Sequence, residues 1–164
     1  MNARNKEILN FDEIKEKLLR ILENKDNAIM VMATSADNVV MARTILTINV
    51  GLDIYFFTWK YSRKCKQIKK NSHVSLCKDK IEIEGEAKIL GSMTAKNNEK
   101  ILEFIKNKYP DAVKRWEAKP GMIIIRIKPA FACVDGYFIN NDAYVEYLDL
   151  NKKQAYRLKW ASRR

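Results

Sequence analysis

Apolar residues recur along this chain with two different periods, and the switches between them outline its elements. After Asn10, the residues Phe11, Ile14, Leu18, Ile21 and Leu22 fall at helical spacing with lysines and glutamates between them, the pattern of an amphipathic helix. Asn10 followed by Glu13 resembles a capping box, in which a side-chain oxygen accepts an otherwise unpaired first-turn N–H; the helix is expected to end near Asn24. From residue 28 the pattern changes. Residues 28–34 read as a buried strand, 35–38 as a polar turn, 39–49 as a second strand and 52–58 as a third, after a turn at Val50-Gly51. Connections this short favour antiparallel pairing.

A basic helix is predicted over 61–71 and a short strand over 74–77. In 81–90, Ile81, Ile83, Gly85, Ala87 and Ile89 alternate with Glu82, Glu84, Glu86 and Lys88. Period two puts one face in the core and one in solvent, so the glutamates read as a solvated row and not as catalytic carboxylates. Gly85 marks a bend or bulge. Residues 94–109 predict a second amphipathic helix around Ile101, Leu102 and Ile105, ended by Pro110, with a short helical piece over 111–118. A strongly apolar strand over 122–128 is closed by Pro129; 131–134 and 143–148 add strand segments joined by turns at Asp135-Gly136 and 140–142. At least six strands with few helices point to a mainly β chain folded as a closed or nearly closed antiparallel barrel. Periodicity by itself leaves a sandwich open.

At 164 residues the chain is long enough for a real core, and it is expected to form a single domain over 1–164, with an N-terminal helical segment (1–25) and a basic tail (150–164). There is no run of 18 apolar residues and no apolar block near the start, which argues against a membrane span or a signal peptide. Three widely spaced cysteines, Cys65, Cys77 and Cys133, suggest reduced thiols and a cytoplasmic location. The net charge is +11, and its excess sits in two places: residues 59–70 and residues 151–164 each hold six Lys or Arg and no acid. The other 19 basic residues face 20 acidic ones. Nucleic acid is the general partner for such segments, but no helix-turn-helix, zinc-finger spacing or RNA-binding aromatic signature is present, so it is not the expected partner.

Several chemistries lack their residues. Neither G-x-G-x-x-G nor G-x-x-x-x-G-K-[ST] occurs, which leaves out Rossmann and P-loop sites. One histidine, His73, without a cysteine or carboxylate cluster gives no metal set and no hydrolytic triad. Cys65 follows two cations near a helix start, where a thiolate would be stabilised; a small residue packed under the helix is the plainer reading. What remains is a binding constellation. The strand 52–58 feeds a helix that opens with Ser62, Arg63 and Lys64. Free first-turn N–H groups, the positive end of the helix dipole and two cations together suit a phosphate.

Three segments in order resemble the pyridoxamine 5'-phosphate oxidase-like family of FMN-binding split barrels. Phe57-Thr58, Ser62-Arg63-Lys64, Gln67-Ile68, Asn71 and Val74-Ser75-Leu76 resemble its flavin-phosphate segment. Arg43-Thr44-Ile45-Leu46 resembles the strand that lies along the flavin, and 80–90, with Gly85 inside, is the third match. The resemblance covers residues 28–92 and implies a six-stranded antiparallel split β-barrel with flanking helices, a homodimer with flavins at the subunit interface, and FMN as cofactor. On that resemblance Arg63 and Lys64 neutralise the FMN phosphate, and Ser62 assists at the helix start. Phe57 and Thr58 lie at the same end, with Thr58 donating a hydrogen bond, and Arg43 contacts the phosphate or the flavin edge. The backbone of Thr44, Ile45 and Leu46 runs along the isoalloxazine. Lys80 falls where the enzymes often have glutamine, and a cation there would stabilise negative charge on reduced flavin. The final YRLKWASRR does not match the oxidase's C-terminal region. The resemblance is therefore to the short general-stress-protein or nitroimidazole-reductase-like branch. It implies a flavin-dependent reductase of a small molecule, with NAD(P)H as candidate reductant. The rival readings are a non-catalytic flavin-binding or stress-sensing module and a basic nucleic-acid-binding barrel.

Overall fold

The computed structural model describes residues 6–116, 119–139 and 142–160. In chain order the elements are β1 (Lys6–Leu9), α1 (Phe11–Glu23), β2 (Ile29–Ala36), β3 (Val39–Leu46), β4 (Ile48–Val50), β5 (Asp53–Trp59), α2 (Arg63–Lys70), β6 (His73–Lys78), β7 (Ile81–Ser92), α3 (Glu99–Lys108), α4 (Pro110–Trp116), β8 (Met122–Ile139), β9 (Asp142–Asp149) and β10 (Gln154–Trp160). All the strands join one antiparallel sheet in the order β1-β10-β9-β8-β7-β6-β2-β3, with β5 paired to both β4 and β8. β8 is the pivot. Its first half lies between β5 and β7, and its second half between β7 and β9. One long strand thus serves the barrel at one end and a splayed extension at the other, while β3 approaches β5 without pairing to it.

The class is the expected one, mainly β with flanking helices in a split barrel, but the sheet has ten strands and not six. Three local features explain the difference. Pro129 does not close its strand. It sits opposite Gly85 at a register shift, where a missing N–H breaks no ladder bond, and a Cβ on Gly85 would lie 2.5 Å from the Lys128 carbonyl oxygen. Asp135-Gly136 is not a turn: it continues β8 in register with β9, just after a second irregularity between Cys133 and Asp135. Residues 154–160 of the expected basic tail form β10, held between β9 and β1, while 161–164 fall outside the described residues, and β1 itself was not foreseen. The expected turn at 140–142 falls partly outside the described residues, with Asp142 opening β9. A smaller departure divides the strand 39–49 at Thr47, whose N–H and Oγ1 both donate to the Ala28 carbonyl (2.6 and 2.8 Å).

Elsewhere the pattern holds for physical reasons. Asn10 Oδ1 accepts from the Asp12 and Glu13 N–H groups at 2.9 and 3.2 Å, and α1 lays Ile14, Leu18 and Leu22 on the barrel. The turn between β2 and β3 places Asp37 and Asn38 at positive φ, which short polar side chains tolerate. The apolar run opening β8 is buried on both faces. Ile123, Ile125 and Ile127 join the barrel interior with Met30, Met32, Ile54, Phe56 and Ile83. Met122 and Ile124 join a second cluster with Tyr55, Leu102, Ile105 and Val113 under α3 and α4. Each large side chain so buried contributes about 1.5–3 kcal/mol, which fixes β5 and β8 as the rigid wall behind the site.

Candidate functional site

The site lies at the mouth of the barrel, where β3 and β5 come together unpaired and α2 packs on the neighbouring β2. Strand alternation decides who takes part. On β2, Met30, Met32 and Thr34 point inward; on β5, Ile54, Phe56 and Thr58 do the same. The inward row of each strand therefore ends in a buried hydroxyl, Thr34 being 2% and Thr58 6% exposed. Arg43, across the ladder from Met32, reaches over this end. Its Nη1 donates to Thr34 Oγ1 (2.6 Å) and to the Met32 carbonyl (3.3 Å), and its Nη2 to Gln67 Oε1 (3.3 Å). Gln67, buried on α2, also accepts from Thr34 Oγ1 (2.7 Å) and donates to the Val39 carbonyl (2.9 Å). This lattice fixes both the guanidinium and the pitch of α2 against the β2–β3 hairpin.

On the other side of the mouth, Lys64 Nζ donates to Thr58 Oγ1 at 2.9 Å, and Thr58 Oγ1 lies 3.5 Å from Ser62 Oγ. Ser62 is the residue before α2 but does not cap it; its hydroxyl donates to Cys65 Sγ (3.2 Å), whose thiol reaches the Trp59 carbonyl (3.3 Å). The first-turn N–H groups of α2 thus have no side-chain acceptor, unlike those of α1. They are the groups that an anion satisfies. Cys65 is fully buried, the packed role and not the exposed thiol.

The electrostatics agree. Burial, with Arg63 nearby, pulls the Arg43 guanidinium below its ordinary value. Burial, with Arg43 nearby, likewise pulls Lys64 below the usual lysine value of 10.5, against an opposing contribution from Cys65. Among the described residues no carboxylate pairs with Arg43, Arg63 or Lys64. Arg43 and Lys64, their charge partly disfavoured, lie with Arg63 in a set that a polyanion would stabilise.

The remaining expected residues divide. β3 is an edge strand paired only to β2, so the peptide groups of Thr44, Ile45 and Leu46 that face away from β2 are open to a ligand. Ile45 turns its side chain into the core, whereas Thr44 and Leu46 are exposed on the outer face. The side chain of Phe57 packs with the α3/α4 cluster, on the opposite face of β5 from Thr58. Lys80 is not brought to the mouth; it lies in the β6–β7 turn, where Nζ donates to the Gly136 carbonyl (2.7 Å). Thr34 and Gln67 are the residues that sequence reading gave no role. The signal for Thr34 was its inward phase with Met30 and Met32. For Gln67 it was a position one helical turn after Arg63. His73 starts β6 opposite Glu86, and no group of three or more metal-ligating side chains occurs among the described residues.

No family model and no curated protein matches the chain. Solved structures do. General stress protein 26 from Bacillus anthracis str. Sterne is 24% identical over 84% of this chain and 99% of its own, with a TM-score of 0.60. A Clostridium acetobutylicum protein related to general stress protein 26, of the pyridoxinephosphate oxidase family, is 15% identical over 88% and 99%, with a TM-score of 0.58. An FAD-binding protein from Mesorhizobium loti is 11% identical over 95% and 99%, with a TM-score of 0.56. The fold of this chain is the split barrel of the pyridoxamine 5'-phosphate oxidase-like proteins.

Proposed function

We propose that this protein binds FMN and acts as a flavin-dependent oxidoreductase on a small molecule. The observation that carries the reading is that Arg43 meets the Thr34 hydroxyl and Lys64 the Thr58 hydroxyl, with Arg63 near Arg43 and no carboxylate paired to any of the three among the described residues, at an uncapped helix start. A mouth so built fits a phosphate monoester. The open edge of β3 beside it suits the flat, hydrogen-bonding rim of an isoalloxazine. That a protein of the same fold binds FAD supports a flavin in particular.

In this reading Lys64 and Arg63 hold the phosphate, Thr58 orients Lys64, and Thr34 with Gln67 orients Arg43. The peptide groups of Thr44 to Leu46 fix the ring system along the strand. The flavin, when bound, supplies the redox chemistry; the chain contributes binding, orientation and positive potential. Ile29, Val31, Val40 and Leu46, between 41% and 69% exposed, form an apolar outer face on β2 and β3. We assign that face to a second copy of the chain, which would also cover the ring; light scattering of the flavin-loaded protein reads this, and a monomer with stoichiometric flavin would refute it. No helix among the described residues is long and apolar enough to cross a membrane, and the three cysteines are free thiols; the reading places the protein in the cytoplasm.

The test is a fluorescence titration with FMN and riboflavin. Hydrogen bonds to charged groups contribute roughly 1.5–3 kcal/mol each, so FMN should bind at least about tenfold more tightly for each phosphate contact. Equal affinities would end the proposal.

A further inference from the structure

The turn that leads into the site carries a feature that phosphate binding does not use. Ser62 N–H donates to the Trp59 carbonyl at 3.0 Å, closing a turn with Lys60 and Tyr61 at its tip. Trp59 is 47% and Tyr61 72% exposed. The Trp59 ring lies over Gly121, where a Cβ would meet ring carbons at 2.8 and 3.0 Å, and the Lys60 stem passes the same glycine. Gly121 holds φ at +85°, so that backbone conformation and the close seat of the ring both require glycine. Lys60 Nζ sits 4.8 Å over the Tyr61 ring, and the Lys60 N–H donates to the Gly121 carbonyl at 2.9 Å. Lys119 lies close by in the chain, with its Nζ 4.5 Å over Trp116. Two exposed aromatic rings, Trp59 seated on Gly121 and Tyr61 under Lys60, stand directly before the helix start at Ser62. Among the described residues no acid pairs with Lys60, Arg63 or Lys119.

We infer that the 59–61 turn is a stacking platform for a purine nucleotide, with Trp59 and Tyr61 taking the base and Lys60 and Lys119 its phosphates. Aromatic rings take the π-face of a base, and nearby cations take its phosphates. The occupant is the adenosine phosphate half of a dinucleotide. It has two sources: a molecule separate from the flavin, or the adenylate end of FAD with the flavin phosphate in the Arg43–Lys64 cluster. The inference rests on the proposed function for its location beside a flavin, not for the stacking itself.

The experiment titrates ADP and ribose 5-phosphate into protein supplied with excess FMN, by calorimetry. Flavin fluorescence on the same samples reports whether FMN is bound, so a failure of the flavin reading is seen separately from a failure here. ADP should bind roughly tenfold or more tightly than ribose 5-phosphate, because only ADP carries a base. Trp59→Leu with Tyr61→Leu should erase that advantage, and Trp59→Phe should restore most of it to a Trp59→Leu protein. Tighter binding of FAD than FMN, lost in the double leucine variant, would support the platform with FAD as its source; ADP binding alongside FMN would support the separate molecule. Equal affinity for ADP and ribose 5-phosphate, or an ADP preference that survives both leucines, would overturn the inference. So would a single-stranded oligonucleotide that binds far more tightly than ADP and releases steeply with salt, since it would assign the platform to nucleic acid.

Discussion

Residues 59–70 and 151–164 each place six basic side chains in a short stretch with no acid, and the structure treats them in opposite ways. In the second segment three of the described cations are paired locally, Arg163 and Arg164 lying outside the described residues. Arg157 on β10 meets Glu7 on β1 at 2.5 Å, Lys159 meets Asp142 on β9 at 2.5 Å, and Lys152 meets Asp149 at 3.3 Å. Arg157 and Lys159 reach their distant partners because β10 lies between β1 and β9. The pairing raises the pKa of Arg157, chiefly through its hydrogen bond to Glu7. In the first segment, among the described residues, only Lys70 meets a carboxylate, Asp37 at 2.5 Å, while Lys64 is turned inward to a hydroxyl and shifted down. A run of cations in a sequence therefore says little about a ligand. What separates the two is whether the fold brings acids to meet the charge, and an unneutralised, half-buried set is the one with binding left to do.

The hardest test of that contrast removes the unneutralised charge. Arg63→Ala with Lys64→Ala should weaken FMN binding by at least about a hundredfold, from the loss of two charge-assisted contacts. Arg63 is exposed and Lys64 half-buried, so the fold should survive. The double variant should purify colourless with an unchanged far-ultraviolet circular dichroism spectrum. A yellow product would place the phosphate elsewhere; a chain that fails to fold would make the pair structural.

Next in size is the lattice that aims Arg43. Gln67→Leu leaves Thr34 Oγ1 and Arg43 Nη2 without their shared acceptor, and the Val39 carbonyl without a side-chain donor. Leaving buried polar groups unpaired costs about 1–3 kcal/mol, which urea denaturation should record. FMN affinity should fall as well, since the guanidinium loses one of its anchors. Unchanged stability with unchanged affinity would remove Gln67 from the site.

This lattice also marks how far the sequence could be read. The cations and hydroxyls of 58–64 were legible because strand, turn and helix start follow one another within a few residues. Thr34 and Gln67 were not, since their pairing joins β2 to α2 across 33 residues, and no local period encodes that. Lys80 looked equivalent by alignment, but the chain turns there between β6 and β7 and carries it to Gly136. At the level of fold, the barrel strands were visible through period two. β1 and β10 were not: each is short or heavily charged, and the two pair with each other from opposite ends of the chain. Pro129 read as a stop because a proline breaks a ladder unless it falls at a bulge, and only the partner strand with Gly85 reveals the bulge.

A smaller effect sharpens the comparison through pH. Lys64 in the free protein titrates below 10.5, burial being the main cause and Arg43 adding to it. The sign follows from which form binds. Only charged Lys64 attracts the phosphate, so affinity is full below its pKa in the free protein and falls as pH rises through it. For folding the sign is reversed: the lowered pKa disfavours the fold while Lys64 is charged, and that penalty fades as pH rises through the folded pKa and is gone above the unfolded value. FMN affinity should thus decline a few-fold on the alkaline side, earlier than an exposed lysine would allow. Lys64→Arg, which stays charged, should flatten the decline. An identical profile in both proteins would remove Lys64 from the phosphate.

The smallest expected effect lies in the other basic segment. Glu7→Gln removes the carboxylate that Arg157 meets with both Nε and Nη2, at 3.0 and 2.5 Å. Glu7 is more than half exposed, so water replaces much of what is lost, and pairs of this kind are worth about 1 kcal/mol or less. Arg157 also keeps its hydrogen bond to Tyr137 Oη at 2.7 Å, and Tyr137 keeps Glu146. The denaturation midpoint should move only slightly, and less in high salt. FMN affinity should stay within about twofold, because this charge was already spoken for inside the sheet and contributes little to the potential at the barrel mouth. A substantial gain or loss of flavin binding in Glu7→Gln would mean that the two segments act as one field, and that local neutralisation is the wrong criterion for telling a ligand site from a charged surface.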